Sequence, residues 1–375
     1  MKRYLKLILI LSFLLFVFIN SGLTAFAVNE EKLFDYIGTE KLLESIPDEV
    51  STLLSELGVN DIDFTSILNV KAKDLWRLAK TMITGAIESP IKSMLRIFYV
   101  IILLAVCESF IKDDVKLKYV VEMFGTLFCV ITVIKPISDT ISSAVASVKL
   151  TESFMLVLIV VLTSVVSAAG NPGLAVSFQS IAFIGAQIIA GIASGVLVPL
   201  TGVVLSLDIS GTMIPTYKLN SITDFIKKTI TTSLSVCATV YVSFLGLKSA
   251  LANAADTFAS KGIKLIISTT VPVVGAALSE TYSGIVGSMI LARSTIAVLG
   301  IGVIALINFP SCLQLVFWIF AFKAGNAVAS LFEQDSLAVM FKAFASTLVL
   351  LNAVLLFVAV LFIISTALIL VIKAG

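Results

Sequence analysis

The 375-residue sequence contains no histidine, and charged residues make up only 13% of it. Soluble domains typically carry about 25% charged residues, so this composition is unusual for a protein that folds in water. The lack of histidine removes the commonest metal ligand and the usual proton shuttle near neutral pH, and it excludes catalytic triads built on that residue. The glycine-rich phosphate loop of P-loop nucleotide-binding proteins is also missing. We therefore predict that the chain is not an enzyme.

Cysteine is scarce, and basic residues do not cluster. Cys107, Cys129, Cys237 and Cys312 stand singly in apolar surroundings, without the paired spacing of a zinc site. Buried free cysteines behave as small apolar residues, so no metal or other cofactor is predicted. The 26 lysines and arginines are scattered along the chain and nearly balance the 24 acidic residues. Nucleic acid, which binds clustered positive charge, is therefore not an expected partner.

Long stretches without charge indicate the class of the protein. The run from 153 to 207 contains no Asp, Glu, Lys or Arg. A bilayer crossing needs roughly 20 apolar residues, so this run is long enough for two crossings. Gly170, Asn171, Pro172 and Gly173 separate the two, because proline removes a backbone donor and glycine permits positive φ. The sequence therefore predicts a protein embedded in a lipid bilayer.

Apolar stretches of the same kind recur after Pro90, and the last is uncharged throughout between Lys342 and Lys373. We predict an all-α, polytopic transmembrane helical bundle with seven or eight spans. The candidate spans cover residues 92–111, 119–134, 154–169, 174–207, 229–247, 265–292, 295–322 and 343–372.

The first 90 residues differ from the rest of the chain. Residues 1–27 have the form of a secretory signal peptide, with basic residues, an apolar run and the small-residue cleavage site Ala25-Phe26-Ala27. An uncleaved first transmembrane anchor is the alternative. Residues 28–90 contain half of the 24 acidic residues and show apolar residues at helical spacing. We predict a small extracytoplasmic helical region over residues 28–90, followed by a multi-pass transmembrane domain over residues 91–375.

Prolines and one isolated acid are the candidate elements of a conduit or gate. Pro199 and Pro272 lie inside apolar runs, and Gly275 follows shortly after Pro272. Interrupted membrane helices place backbone groups around a transported substrate, although a simple proline kink satisfied by neighbouring helices is the alternative. Glu280 is isolated in an uncharged stretch, and Arg293 is the nearest base. These two would meet only if the chain folded back, and the alternative is that Glu280 marks a turn at the membrane surface.

The segment Gly191-Ile-Ala-Ser-Gly195 is a GxxxG motif in an apolar helix. Two glycines at this spacing allow a second helix backbone to approach closely. We predict that Gly191 and Gly195 pack against another helix of the same chain. The subunit interface of a homo-oligomer is the alternative.

Several short sequences in the C-terminal half form a recognisable series. They are Phe244-Leu-Gly246, Lys264, Val271-Pro-Val-Val-Gly275, Ser279, Leu291, Gly300, Phe309-Pro310 and Lys323. In their order and spacing they resemble the stage III sporulation protein AE family. The resemblance extends more loosely over the whole chain, including the signal peptide, the acidic region and the stretch from 156 to 170.

This resemblance implies a role in endospore formation, in the mother-cell membrane that surrounds the forespore. Family members belong to a multiprotein channel complex with the other stage III sporulation A-operon proteins and stage II sporulation protein Q. The family supplies no catalytic residue to carry over. We expect a membrane component of this channel, with a self-sufficient secondary transporter of a small solute and a membrane assembly scaffold as alternatives.

Overall fold

The computed structural model describes residues 39–59, 70–111, 115–168, 172–213, 219, 221–244 and 275–371. Within these residues the chain forms helices and turns and no strand, so the predicted all-α class is confirmed. The signal peptide predicted at residues 1–27 lies outside the described part. The helices are α1 (Thr39–Glu44), α2 (Asp48–Glu56), α3 (Ala72–Ser109), α4 (Val115–Ala168), α5 (Pro172–Ile192), α6 (Val198–Met213), α7 (221–244), α8 (Gly275–Leu331) and α9 (Asp335–Val371).

Five helical stretches in this part of the chain are long and apolar enough to cross a bilayer. They cover Ala72–Ser109, Val120–Ala168, Gln187–Thr212, Met289–Leu331 and Asp335–Ala367. The membrane bundle expected from the sequence therefore agrees with the structure, while the expected number of seven or eight spans is only roughly matched. The 57 residues of α8 extend about 86 Å at 1.5 Å per residue, well beyond a hydrocarbon core of about 30 Å.

Two pairs of predicted spans are joined into single helices, so their separation in the prediction is wrong. Segments 119–134 and 154–169 both fall in the 54-residue α4, and segment 295–322 continues the described part of segment 265–292 within α8. The charged residues between the first two segments suggest a loop. Lys135, Asp139 and Lys149 are instead exposed along α4. A helix can carry charges along one face without losing backbone hydrogen bonds, so charge alone does not end it.

The short N-terminal helices pack on the bundle. Leu42, Ile46 and Val50 are buried and belong to the same apolar core as the long helices. α1 contacts α4, and α2 contacts α3 and α8. α3 continues without interruption through Pro90. The boundary at residue 90 therefore falls inside a helix, and the division into an extracytoplasmic region and a transmembrane domain stays a prediction.

Close contacts hold α4, α8 and α9 together. A Cβ atom on Gly300 of α8 would lie 2.6 Å from Leu158 Cδ2 of α4, so the absence of a side chain there lets the helices approach. Between α8 and α9 the aromatic rings form a buried cluster. The Trp318 and Phe322 centroids are 5.4 Å apart, and Phe344 of α9 meets Phe322 edge-on at 5.3 Å. Such pairs add packing energy beyond the area they bury.

The turn between α8 and α9 is closed by backbone and side-chain hydrogen bonds. The backbone N–H of Gln334 donates to the carbonyl of Ala329 at 2.9 Å, and that of Glu333 donates to Ser330 at 3.4 Å. This pair of bonds is a Schellman motif, which places one residue in the left-handed region. That residue is Glu333, with φ of 55°. A carboxylate oxygen of Glu122 in α4 accepts from the backbone N–H of Ser336 at 2.9 Å, so it caps α9.

Glu333→Gly is expected to stabilise the protein. A side chain in the left-handed region costs roughly 1 kcal/mol that glycine does not incur, although the greater freedom of glycine in the unfolded chain offsets part of the gain. The measurement is the thermal unfolding midpoint of the purified chain in detergent. Ser330→Gly, in the last turn of α8, is the matched control and should lower the midpoint. A lower midpoint for Glu333→Gly would contradict the prediction.

Candidate functional site

The residues predicted for a conduit at the start of α8 are not brought together by a fold-back. Gly275 is the first residue of α8, and the backbone is helical around Glu280, so the turn considered at Glu280 is wrong. Arg293 lies further along the same helix. The helical rise from Glu280 to Arg293 is roughly 20 Å. The Arg293 side chain is buried, with the residue 2% exposed.

Pro199 lies in a helix that is distorted but continuous. α5 passes through a π-helical turn at Ala193–Leu197 and continues as α6, in which Pro199 is the second residue. Proline lacks a backbone N–H, and its ring crowds the carbonyl of the preceding turn, so a wider turn at that carbonyl relieves the conflict. α8 is likewise continuous through Pro310. The structure thus favours a local distortion over a broken helix at Pro199, and Pro272 lies outside the described residues.

The glycines of the GxxxG motif face open space within the described part of the chain. Gly191 and Gly195 are exposed, and a Cβ built on either one would have no described atom within 4 Å apart from the neighbouring backbone of its own helix. The close contact is made by Gly185 instead. A Cβ there would lie 2.0 Å from Tyr241 Cε2 of α7. The Tyr241 hydroxyl shares a buried 2.8 Å hydrogen bond with the Ser365 hydroxyl of α9, so Gly185 makes room for a tyrosine that joins three helices.

Three side chains from α6, α7 and α9 form a buried ionic contact, here called the Asp208 cluster. Lys227 Nζ donates to Asp208 Oδ2 at 3.2 Å, and the Thr347 hydroxyl donates to the same oxygen at 2.8 Å. The side chain of Asp208 is 4% exposed and that of Lys227 is 18% exposed. Asp208 is therefore enclosed, while Lys227 retains partial access to the surroundings.

The position of this cluster follows from the helix order. Asp208 directly follows the uncharged run 153–207, and Thr347 lies inside the uncharged run of α9. α6 and α7 are consecutive, and the Asp208–Lys227 contact places them side by side. Ionisable groups in membrane helices are costly, so they are usually paired and commonly mark pathways for ions or substrates. The same contact also works as a clamp between three helices.

A second buried polar group lies between α4 and α8, here called the Asn308 layer. Asn308 Nδ2 donates to the Thr151 hydroxyl at 2.8 Å and to the Ile304 carbonyl at 2.8 Å. One turn away, the hydroxyls of Ser147 and Ser311 are 2.8 Å apart. Asn308 Oδ1 is buried and has no hydrogen-bond partner among the described residues. In the Asn308 layer, one buried amide oxygen could therefore still accept a hydrogen bond inside an apolar bundle.

Sequence reasoning misses both groups. In the sequence, Asp208 only ends an uncharged run, and Asn308 is one amide among apolar residues. A usable signal is present for Asn308, because a primary amide in the centre of the uncharged run 294–322 needs a partner on another helix. No pattern in the sequence identifies that partner as Thr151.

A family model described as stage III sporulation protein AE matches residues 62–373, which is more than half of the chain. The chain belongs to the stage III sporulation protein AE family. The matched range contains the Asp208 cluster and the Asn308 layer, and it confirms the resemblance seen in the sequence. This family member is thus a sporulation protein. No curated protein and no solved structure matches the chain.

Gly185→Ala is expected to destabilise the bundle by roughly 2 kcal/mol, because an added Cβ forces the buried Tyr241 ring to move. The ring cannot shift freely while its hydroxyl is bonded to Ser365. Gly191→Ala is the matched control in the same helix, and it should leave the detergent unfolding midpoint unchanged or slightly higher. Equal midpoints for the two variants would contradict the close contact.

Asp208→Asn is expected to lower stability by about 3 kcal/mol, because it leaves the Lys227 ammonium without its anionic partner in a largely buried position. The double variant Asp208→Asn/Lys227→Met should recover most of the loss. Lys228→Met, which changes an exposed neighbouring lysine, is the control. Unfolding midpoints in detergent measure the effect, and spore yield shows whether restored stability also restores function. A double variant no more stable than the single would contradict an ion-pair role.

Proposed function

We propose that the chain is an integral membrane component of the sporulation channel complex that links mother cell and forespore, and that it forms part of the transport conduit. Family membership and the long apolar helices support this proposal. The proposed partners are the other stage III sporulation A-operon proteins and stage II sporulation protein Q. The proposed location is the mother-cell membrane around the forespore, with the N-terminal region extracytoplasmic.

The observation that carries the conduit proposal is the burial of the Asp208 cluster among long apolar helices. The carboxylate and the ammonium, held 3.2 Å apart, must both be removed from water in such a bundle. This costs desolvation free energy that the burial of apolar side chains does not cost. A bundle that only anchored partners would be assembled at lower cost from small and apolar side chains. The Asn308 layer adds further polar groups to the same bundle.

The two alternatives differ in support. A self-sufficient secondary transporter would be expected to bind its solute at interrupted helices, whereas the helices are continuous at Pro199 and Pro310. The Asp208 cluster would serve an assembly scaffold only as a clamp between helices, a role that small and apolar side chains fill at lower cost. Flux measurements separate these two possibilities from a channel component.

The purified chain in liposomes is expected to retain potassium ions and carboxyfluorescein, a small anionic dye. Liposomes that also contain the A-operon proteins and stage II sporulation protein Q should release at least one of these probes, because the conduit requires the assembled complex. Release is measured by an ion electrode and by dye fluorescence. Liposomes with the partner proteins but without this chain are the control.

Each other outcome points to a different function. Release by the chain alone would support the secondary transporter. No release from the complete set would contradict a conduit and support the scaffold. Release that persists without this chain would assign the conduit to the partners.

A further inference from the structure

The hairpin of α3 and α4 carries an exposed apolar stripe on the outer side of each helix. The inner sides pack together, with Leu104 of α3 against Gly125 of α4. On the outer sides, large apolar residues recur every three or four positions, which places them on one face of each helix. These outer stripes are Leu95, Tyr99, Ile102, Leu103, Val106 and Phe110 on α3, and Leu117, Val120, Phe124, Phe128, Ile131 and Ile134 on α4.

The outer stripes are larger than an ordinary exposed apolar surface. Each of the twelve side chains is at least 39% exposed. Together they offer on the order of 1,000 Å², whereas the largest apolar patch on a typical monomer is about 300–600 Å². α3 has no charged residue between Arg96 and Glu108, and α4 has none between Glu122 and Lys135. Lipid or another protein surface is therefore expected to cover the outer stripes.

Lipid fits poorly beside the outer stripes, because exposed carboxylates lie at the same level. The backbone N–H of Ser336 donates to a carboxylate oxygen of Glu122, so the turn between α8 and α9 lies next to the part of α4 that carries its outer stripe. Glu333 and Asp335 in this turn are exposed. A bilayer that covered the outer stripes with hydrocarbon would also surround these two carboxylates, which is costly for ionised side chains. A protein surface is therefore the favoured cover.

The two outer stripes match each other in level and length. α3 and α4 are antiparallel and meet at Leu104 and Gly125. Leu95 precedes Leu104 by nine residues, and Ile134 follows Gly125 by nine, so these two ends of the outer stripes are level. The stripes extend about 22 Å on α3 and about 26 Å on α4. The α3 stripe of one copy can therefore lie along the α4 stripe of another copy that is related to it by rotation about an axis parallel to the helices.

Charges beyond the level ends of the outer stripes fit the same pairing. Lys92 precedes Leu104 by 12 residues, and Asp139 follows Gly125 by 14, so the two are level to within about 3 Å along the helices. Contact between the α3 stripe and the α4 stripe of another copy thus brings Lys92 of one copy near Asp139 of the other. The exposed charged residues in this region have both signs and are Glu88, Lys92 and Arg96 on α3, and Lys135 and Asp139 on α4.

We propose that the outer stripe of α3 packs against the outer stripe of α4 in a second copy of this chain. The on the order of 1,000 Å² that each copy offers is enough for a standard stable interface, to which each partner contributes about 800 Å². Rotation about an axis along the helices keeps both copies in the same orientation in the membrane. This interface goes beyond the proposed function, because a component of a channel complex does not have to associate with itself.

Site-specific photo-crosslinking identifies what covers the outer stripes. Phe128→p-benzoylphenylalanine places a light-activated ketone in the α4 stripe, and Phe225→p-benzoylphenylalanine on α7, another exposed aromatic position, is the matched control. Each full-length variant is expressed in sporulating cells together with a second copy that carries a different epitope tag, and the membranes are irradiated. The Phe128 variant should give an adduct with both tags, crosslinked to a peptide within residues 95–110 of the other copy. The Phe225 variant should not give this adduct.

A charge within the proposed contact provides a second measurement. Ile131→Glu, combined with the reporter at position 128, should lower the yield of the doubly tagged adduct at least about tenfold, because the interface would bury a carboxylate without a partner. Ile131 is 69% exposed in the single chain, so the detergent unfolding midpoint should not change. Phe225→Glu is the matched control and should leave the adduct yield unchanged.

Three results would overturn the proposal. A Phe128 adduct with a different protein would mean that a heterologous partner covers the outer stripes. Irradiation without any protein adduct would mean that they face lipid or water. A doubly tagged adduct that maps outside residues 95–110, or that keeps its full yield in the Ile131→Glu variant, would place the contact between copies elsewhere.

Discussion

The antiparallel register between α4 and α8 determines which polar groups meet on that side of the bundle. Three contacts fix it, at Gly300, Asn308 and Ser311 of α8. Apolar packing alone gives little specificity between helices in lipid, because the hydrocarbon tails are as apolar as leucine. Close approach at a glycine and hydrogen bonds between polar side chains supply that specificity. A slip of one residue would remove the Asn308–Thr151 bond and press Leu158 against a residue other than glycine.

The sequence predicts a membrane protein because a charged side chain is costly in hydrocarbon, and long uncharged runs therefore indicate segments that cross a bilayer. The sequence does not predict the continuity of the helices in the same way. Lys135, Asp139 and Lys149 suggest a loop between two spans, yet they lie on the exposed side of α4. Charge reports on the surroundings of a side chain, whereas a helix ends where its backbone bonds are interrupted. Pro136 does not interrupt α4.

The contacts between helices are the least predictable feature. The Asp208–Thr347 and Thr151–Asn308 pairs each join helices that are far apart in the sequence, so neither pair leaves a local pattern. The GxxxG motif identifies glycines that face open space, while Gly185 and Gly300 make the close contacts. A glycine pattern shows where an approach is sterically allowed. Which face is used depends on the partner helix, and that information lies elsewhere in the chain.

α7 is held to α9 at two positions along their lengths. The Asp208 cluster connects them at Thr347, and the Tyr241 hydroxyl connects them at Ser365. The helical rise between these two positions of α9 is about 27 Å. Rotation of α7 about its axis would break both connections together. Each connection involves a buried polar group, and water could not readily replace the hydrogen-bond partner that this group would lose. The polar connections therefore keep the face of α7 that carries Thr232, Val236 and Thr239 exposed and directed away from α9. The orientation of α7 thus follows from the same two connections that hold the three helices together.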